Sequence, residues 1–118
     1  MSDDGVSLEI ENLLSEAHSR SGGLDDLGAG PFLEPLGRLV ESLEGEARLN
    51  TIGRVIARER ILSHTVNRLG YTNDRKQFPE IASQEIVKPI FIIGLPRTGT
   101  TILHDILAQD EKSRAPLT

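Results

Sequence analysis

The chain contains no cysteine and no tryptophan, and its aromatic residues are three phenylalanines and one tyrosine. Without cysteine, disulfides and thiolate metal sites are excluded. The scarcity of aromatic rings leaves any core to aliphatic side chains. Cations are also in the minority: 13 Lys+Arg against 18 Asp+Glu give a net charge of −5. General nucleic-acid binding, which requires a basic patch, is therefore not expected. No apolar run approaches the length of a membrane-spanning helix; the longest, Pro89 to Leu95, has the length of a strand. The opening residues MSDDGVSLEI are acidic and lack the basic-then-apolar layout of a signal peptide. Together these absences predict a soluble, cytoplasmic protein with no membrane span. Its 118 residues suffice for one domain but are few for a doubly wound nucleotide-binding fold.

Three amphipathic stretches fill the first part of the chain. Ser7 to Ser21 reads as a helix with Ile10, Leu13, Leu14 and Ala17 on one face, ended by Gly22-Gly23. Residues 25–31 read as loop. A second helix begins near Pro35, which is tolerated in a first turn, and presents Leu36, Leu39, Val40 and Leu43 before Gly45 weakens it. Thr51 caps a third, longer helix with Ile52, Val55, Ile56, Leu62, Val66 and Leu69 inward and Gly70 as its end. Tyr71 to Lys88 reads as polar and irregular, broken by Pro79 and Pro89. Arg48, Arg54, Arg58, Arg60 and Arg68, interspersed with Glu46 and Glu59, read as a solvated face with i,i+4 pairing rather than a surface for phosphate. His18 and His64 have no metal-ligand spacing.

The stretch from Pro89 to Leu107 carries the chemistry. Ile90-Phe91-Ile92-Ile93 predicts a strand, Gly94-Leu95-Pro96-Arg97-Thr98-Gly99 a loop, and Thr100-Thr101 the start of a helix ending near Gln109. A strand that turns through glycine into a helix N-terminus can hold a phosphate. The first helical N–H groups lack intrahelical partners, and the helix dipole puts partial positive charge at the same place. The spacing is that of G-x-x-x-x-G-K-[ST], but Thr100 stands where that loop has lysine, and the cation has moved to Arg97. Ordinary ATP or GTP hydrolysis relies on that lysine and is disfavoured. Plain turn chemistry, with Thr98 or Thr100 as an N-cap, does not explain an arginine in a tight loop beside two threonines. His104 lies one turn into the helix and reads as a structural or supporting residue.

Pro96-Arg97-Thr98-Gly99-Thr100-Thr101 resembles the 5′-phosphosulfate-binding loop of sulfotransferases that use 3′-phosphoadenosine 5′-phosphosulfate. There, proline, lysine or arginine, serine or threonine, and Gly-Thr-Thr follow a hydrophobic strand. Arginine in place of lysine is similar to the tyrosylprotein sulfotransferases and to a group of bacterial sulfotransferase-like proteins. In the bacterial group an acidic helical region precedes GLPRTGTT. Glu46-Ala47-Arg48-Leu49-Asn50 and Arg114-Ala115-Pro116-Leu117-Thr118 fit that layout.

The resemblance implies an α/β fold of the P-loop sulfotransferase type, of which this chain holds a helical region (1–84) and a strand-loop-helix start (85–118). It implies an enzyme moving a sulfuryl group from 3′-phosphoadenosine 5′-phosphosulfate, as co-substrate, to a hydroxyl or amine acceptor, without metal. Residues Pro96, Arg97, Thr98, Gly99, Thr100 and Thr101 would bind the donor, with Arg97 also catalytic through its charge. Gly99 would let the backbone approach and Gly94 permit the turn. The family's 3′-phosphate segment and catalytic glutamate would fall past Thr118, so the chain is expected to be an N-terminal fragment, inactive alone. Two other classes stay open: a divergent P-loop kinase or nucleotide-binding protein, and a non-catalytic helical interaction module with a vestigial phosphate loop.

Overall fold

A computed structural model describes residues 6–115. Five helices follow one another: α1 (Ile10–Arg20), α2 (Leu33–Gly45), α3 (Thr51–Gln77), α4 (Glu80–Ser83) and α5 (Thr100–Leu107). Among the described residues there is no β-strand. The chain divides into two compact units, Met1–Gln84 and Glu85–Thr118.

The first unit is an α-helical packing in which α1 lies against both α3 and α2. Leu13 and Ala17 of α1, Leu36 of α2, and Ile61, Leu62 and Leu69 of α3 form its core. Leu13, Ala17 and Leu62 are completely buried, and each buried leucine contributes roughly 1.5–3 kcal/mol of apolar transfer. The C-terminal end of α1 follows the sequence closely, whereas its first residue is Ile10 rather than Ser7. Gly22 and Gly23 both take left-handed φ, 75° and 93°, and the Gly23 N–H returns to the His18 carbonyl at 2.9 Å. That is the conformation glycine adopts at least cost. Helix α2 starts two residues before Pro35, which therefore stays in the first turn, and it ends at Gly45.

Helix α3 departs from expectation at both ends and around its circumference. Its N-cap is Asn50, whose side-chain oxygen accepts from the Gly53 N–H at 2.8 Å; Thr51 is the first helical residue. Gly70 does not end it. A mid-helix glycine costs only about 1 kcal/mol relative to alanine, and contacts beyond it carry the helix on to Gln77. Arg75 donates to the Tyr71 hydroxyl one turn away, and Lys76 pairs with Asp26 at 2.5 Å. The segment expected to be irregular is thus helical over 71–77 and again over 80–83. Around the circumference, Ile61 and Thr65 are buried, whereas Ile52, Val55 and Ile56 are exposed. Thr65 satisfies its hydroxyl on the Ile61 carbonyl at 2.8 Å.

Three arginines of α3, Arg54, Arg58 and Arg68, are not part of an i,i+4-paired solvent face, whereas Arg60 is exposed. The three tie α3 to segments distant in sequence. Arg54 donates to Glu44 at 2.6 Å and to the Val6 carbonyl at 3.1 Å. Arg58 donates to the Ser7 carbonyl and to Asn12. Arg68 donates to the Leu27 carbonyl at 2.6 Å while its guanidinium lies 5.0 Å from the centre of the Phe32 ring. From α1, Arg20 bridges Glu16 and Glu59, both at 2.7 Å.

These pairs give the first unit an acid-labile component. Hydrogen bonds from Arg20 hold the Glu59 carboxyl below its usual range, and Arg54 does the same for Glu44. Asp26 is lowered by Lys76 and then by the Gly28 N–H. For depressed carboxylates the stabilisation is present above the unfolded pKa, about 4, and is lost as pH falls through the lower folded values. Circular-dichroism melts should show a midpoint that is steady from pH 7 to 5 and falls below about pH 4. A midpoint unchanged down to pH 2 would remove these pairs from the stability of the unit.

Candidate functional site

The second unit opens with an apolar segment that forms no ladder. Ile90, Phe91, Ile93 and Leu95 are exposed, Ile93 to 92%. The strand expected at Ile90–Ile93 is therefore not formed among the described residues. A strand exists only when its N–H and C=O groups meet those of a neighbour, and no extended segment among the described residues pairs with this one.

The loop that follows is tightly wound. Thr98 donates its hydroxyl hydrogen back to the Leu95 carbonyl at 2.7 Å. A Cβ at Gly94 would lie 2.8 Å from both the Thr98 hydroxyl oxygen and the Thr100 γ-methyl. Space, not φ, makes glycine necessary there. Gly99 shows the opposite: its φ is 88° and nothing would crowd a Cβ. Gly94 is thus fixed by packing inside the loop and Gly99 by its backbone conformation.

Arg97 also lies in the left-handed region, at φ 63°, which is uncommon for a non-glycine residue. Thr98, between Arg97 and Gly99, does not. Left-handed backbone at alternate residues turns successive N–H groups toward a common concavity, the arrangement that cradles anions. Helix α5 then starts at Thr100, and its first bond runs from the Leu103 N–H to the Gly99 carbonyl at 3.0 Å. The N–H groups of Thr100, Thr101 and Ile102 precede that bond and have no acceptor within the helix. No side chain caps it, so neither Thr98 nor Thr100 plays that part. The helix closes at Leu107, with Ala108 donating to the His104 carbonyl at 2.9 Å.

All six expected site residues, Pro96 through Thr101, fall on this one turn, but their side chains differ in what they can offer. Arg97 is exposed and has no ion-pair partner among the described residues. Thr98 is turned into the loop. His104 sits 3.5 Å from the Asp105 carboxylate. Among the described residues no group of three or more His, Cys, Asp or Glu is placed to hold a metal. His18 and His64 line separate apolar hollows of the helical unit, beside Leu24 and Leu39 respectively. Two features of the loop had no signal in the sequence. Arginine has no preference for left-handed φ, and the acceptor at Leu95 is a backbone carbonyl that any residue would supply. Pro116, Leu117 and Thr118 of the expected downstream segment lie outside the described residues.

This loop lies inside the stretch that a family model matches. Residues 89–118 match the model of the sulfotransferase family. The match covers the apolar segment, the whole loop and α5, and leaves the helical unit outside it. No curated protein and no solved structure matches the chain. The likeness to that family is thus confined to this segment, and no helix among the described residues is long and apolar enough to cross a membrane.

Proposed function

We propose that the loop at 94–101 and the N-terminus of α5 bind the 5′-phosphosulfate end of 3′-phosphoadenosine 5′-phosphosulfate, as part of a sulfotransferase. The observation that carries this reading is the alternation of left-handed residues at Arg97 and Gly99, inside the stretch matched to the family. The donor supplies the sulfuryl group, and the acceptor, a hydroxyl or amine, supplies the atom that bonds to sulfur as the bond to the phosphate oxygen breaks. The negative charge left on the phosphate faces N–H groups fixed before reaction, where such donors act most strongly. Arg97 adds a forked, permanently charged donor to the same phosphate and its bridging oxygen. Thr100 and Thr101 contribute hydroxyl donors. In the P-loop fold that this reading implies, Ile90–Ile93 is the strand from which the loop departs, paired with parallel neighbours.

A nitrogen-15-labelled sample of the chain, titrated with adenosine 3′,5′-bisphosphate in the presence of a chelator, tests the proposal. The amide signals of residues 97–102 should shift, and Thr100→Val should weaken the response about fivefold, the worth of one hydrogen bond. A response to ATP with Mg²⁺ but not to the bisphosphate would favour the kinase-like class. A loop indifferent to both would leave the helical interaction module with a vestigial phosphate loop.

A further inference from the structure

Resting on that phosphate-binding reading, we infer that Thr98 is a positioning residue: it latches the loop to Leu95 across the face of Gly94 and does not itself touch the anion. A hydroxyl has one hydrogen to give. In Thr98 that hydrogen goes to the Leu95 carbonyl at 2.7 Å. What remains on the oxygen is lone pairs, and a phosphate oxygen facing it would also present lone pairs. The two cannot bond. Arg97, the N–H groups at the start of α5, and the hydroxyls of Thr100 and Thr101 carry no such commitment within the loop.

The latch closes only over a glycine. The Thr98 hydroxyl oxygen and the Thr100 γ-methyl both stand 2.8 Å from where a Cβ at position 94 would be, closer than real Cβ contacts come. Thr98 and Gly94 are thus two halves of one device. It draws Leu95 and Thr98 together and leaves Arg97, between them, in its left-handed conformation with φ 63°. That conformation is what aims the following N–H groups inward. The hydroxyl at 98 therefore acts on the anion through the shape of the backbone, and the side-chain contacts fall to Arg97, Thr100 and Thr101.

The same labelled full chain and the same bisphosphate titration decide the matter, read at the amides of residues 94–102 in five proteins: wild type, Thr98→Ser, Thr98→Val, Gly94→Ala and the Thr98→Val/Gly94→Ala double variant. Thr98→Ser keeps the hydroxyl and should bind as wild type does. Thr98→Val and Gly94→Ala should each weaken binding about fivefold, the worth of one hydrogen bond, and each should already shift the loop amides before any ligand is added. Because both break one latch, the double variant should bind no more weakly than either single one. Three results would overturn the inference. Thr98→Val binding as tightly as a responsive wild type would make the latch irrelevant. Losses that multiply in the double variant, with free-loop amides unmoved by Thr98→Val, would place the Thr98 hydroxyl on the anion. A wild-type loop that ignores the bisphosphate would remove the phosphate-binding reading and this one with it.

Discussion

Replacing Arg97 by alanine is expected to lower sulfuryl transfer about 10²–10³-fold, the loss typical of one fixed donor at a developing anion. The measurement belongs in a catalytically competent sulfotransferase that carries residues 1–118, with initial rates taken at saturating donor. The fall should be in turnover, since the guanidinium interacts most strongly with charge that builds up as the bond to sulfur breaks. Backbone strain does not confound the comparison. Arginine and alanine pay a similar cost at φ 63°, so the substitution removes the charge and leaves the loop's conformational preference nearly unchanged. Arg97→Lys keeps a point charge but loses the planar fork, and should fall between the two. Unchanged turnover in Arg97→Ala would take this residue out of the mechanism.

The second large effect lies in the helical unit. Leu62→Ala is expected to destabilise it by about 2–5 kcal/mol, because Leu62 is fully buried against the α1–α3 core and its removal leaves a cavity. Domains of this kind hold only about 0.05–0.15 kcal/mol per residue, so the substitution should consume much of the unit's stability. Ile56→Ala, at an exposed position of the same helix, should change stability by no more than about 0.5 kcal/mol. Urea titrations followed by circular dichroism would show both. Equal losses for the two variants would mean that the exposed isoleucines belong to the core after all.

That comparison also marks where sequence reading reached its limit. Glycine pairs and prolines spoke plainly: Gly22-Gly23 stops α1, and Pro35 sits in the first turn of α2. The apolar stripe of α3 misled because its phase changes along the helix. At about 100° per residue, positions nine apart lie on opposite sides. Ile52 is nine residues from Ile61, and Ile56 nine from Thr65, so the isoleucines of the first turns face away from the buried residues of the middle. The inward positions of those turns are Arg54 and Arg58, whose guanidinium groups reach past the apolar core. Side-chain type alone gives no sign that an arginine faces inward. In the second unit the turn and the helix start at Thr100 were legible because Gly94, Pro96 and Gly99 punctuate the chain there. The strand was not formed because pairing is a property of two segments, and only one is present among the described residues.

Arg54, Arg58 and Arg68 each grip a main-chain carbonyl, at Val6, Ser7 and Leu27. A carbonyl is the same group whatever side chain stands beside it. The address these arginines read is written in the peptide backbone, so the hydrogen bonds themselves place no demand on the identity of residues 6, 7 and 27. The guanidinium end has no such latitude. Lysine would offer one ammonium where Arg54 now spans Val6 and Glu44, and where Arg58 spans Ser7 and Asn12. Drift in this unit is thus lopsided: the held segments are free to change their lettering, while the hands that hold them are not.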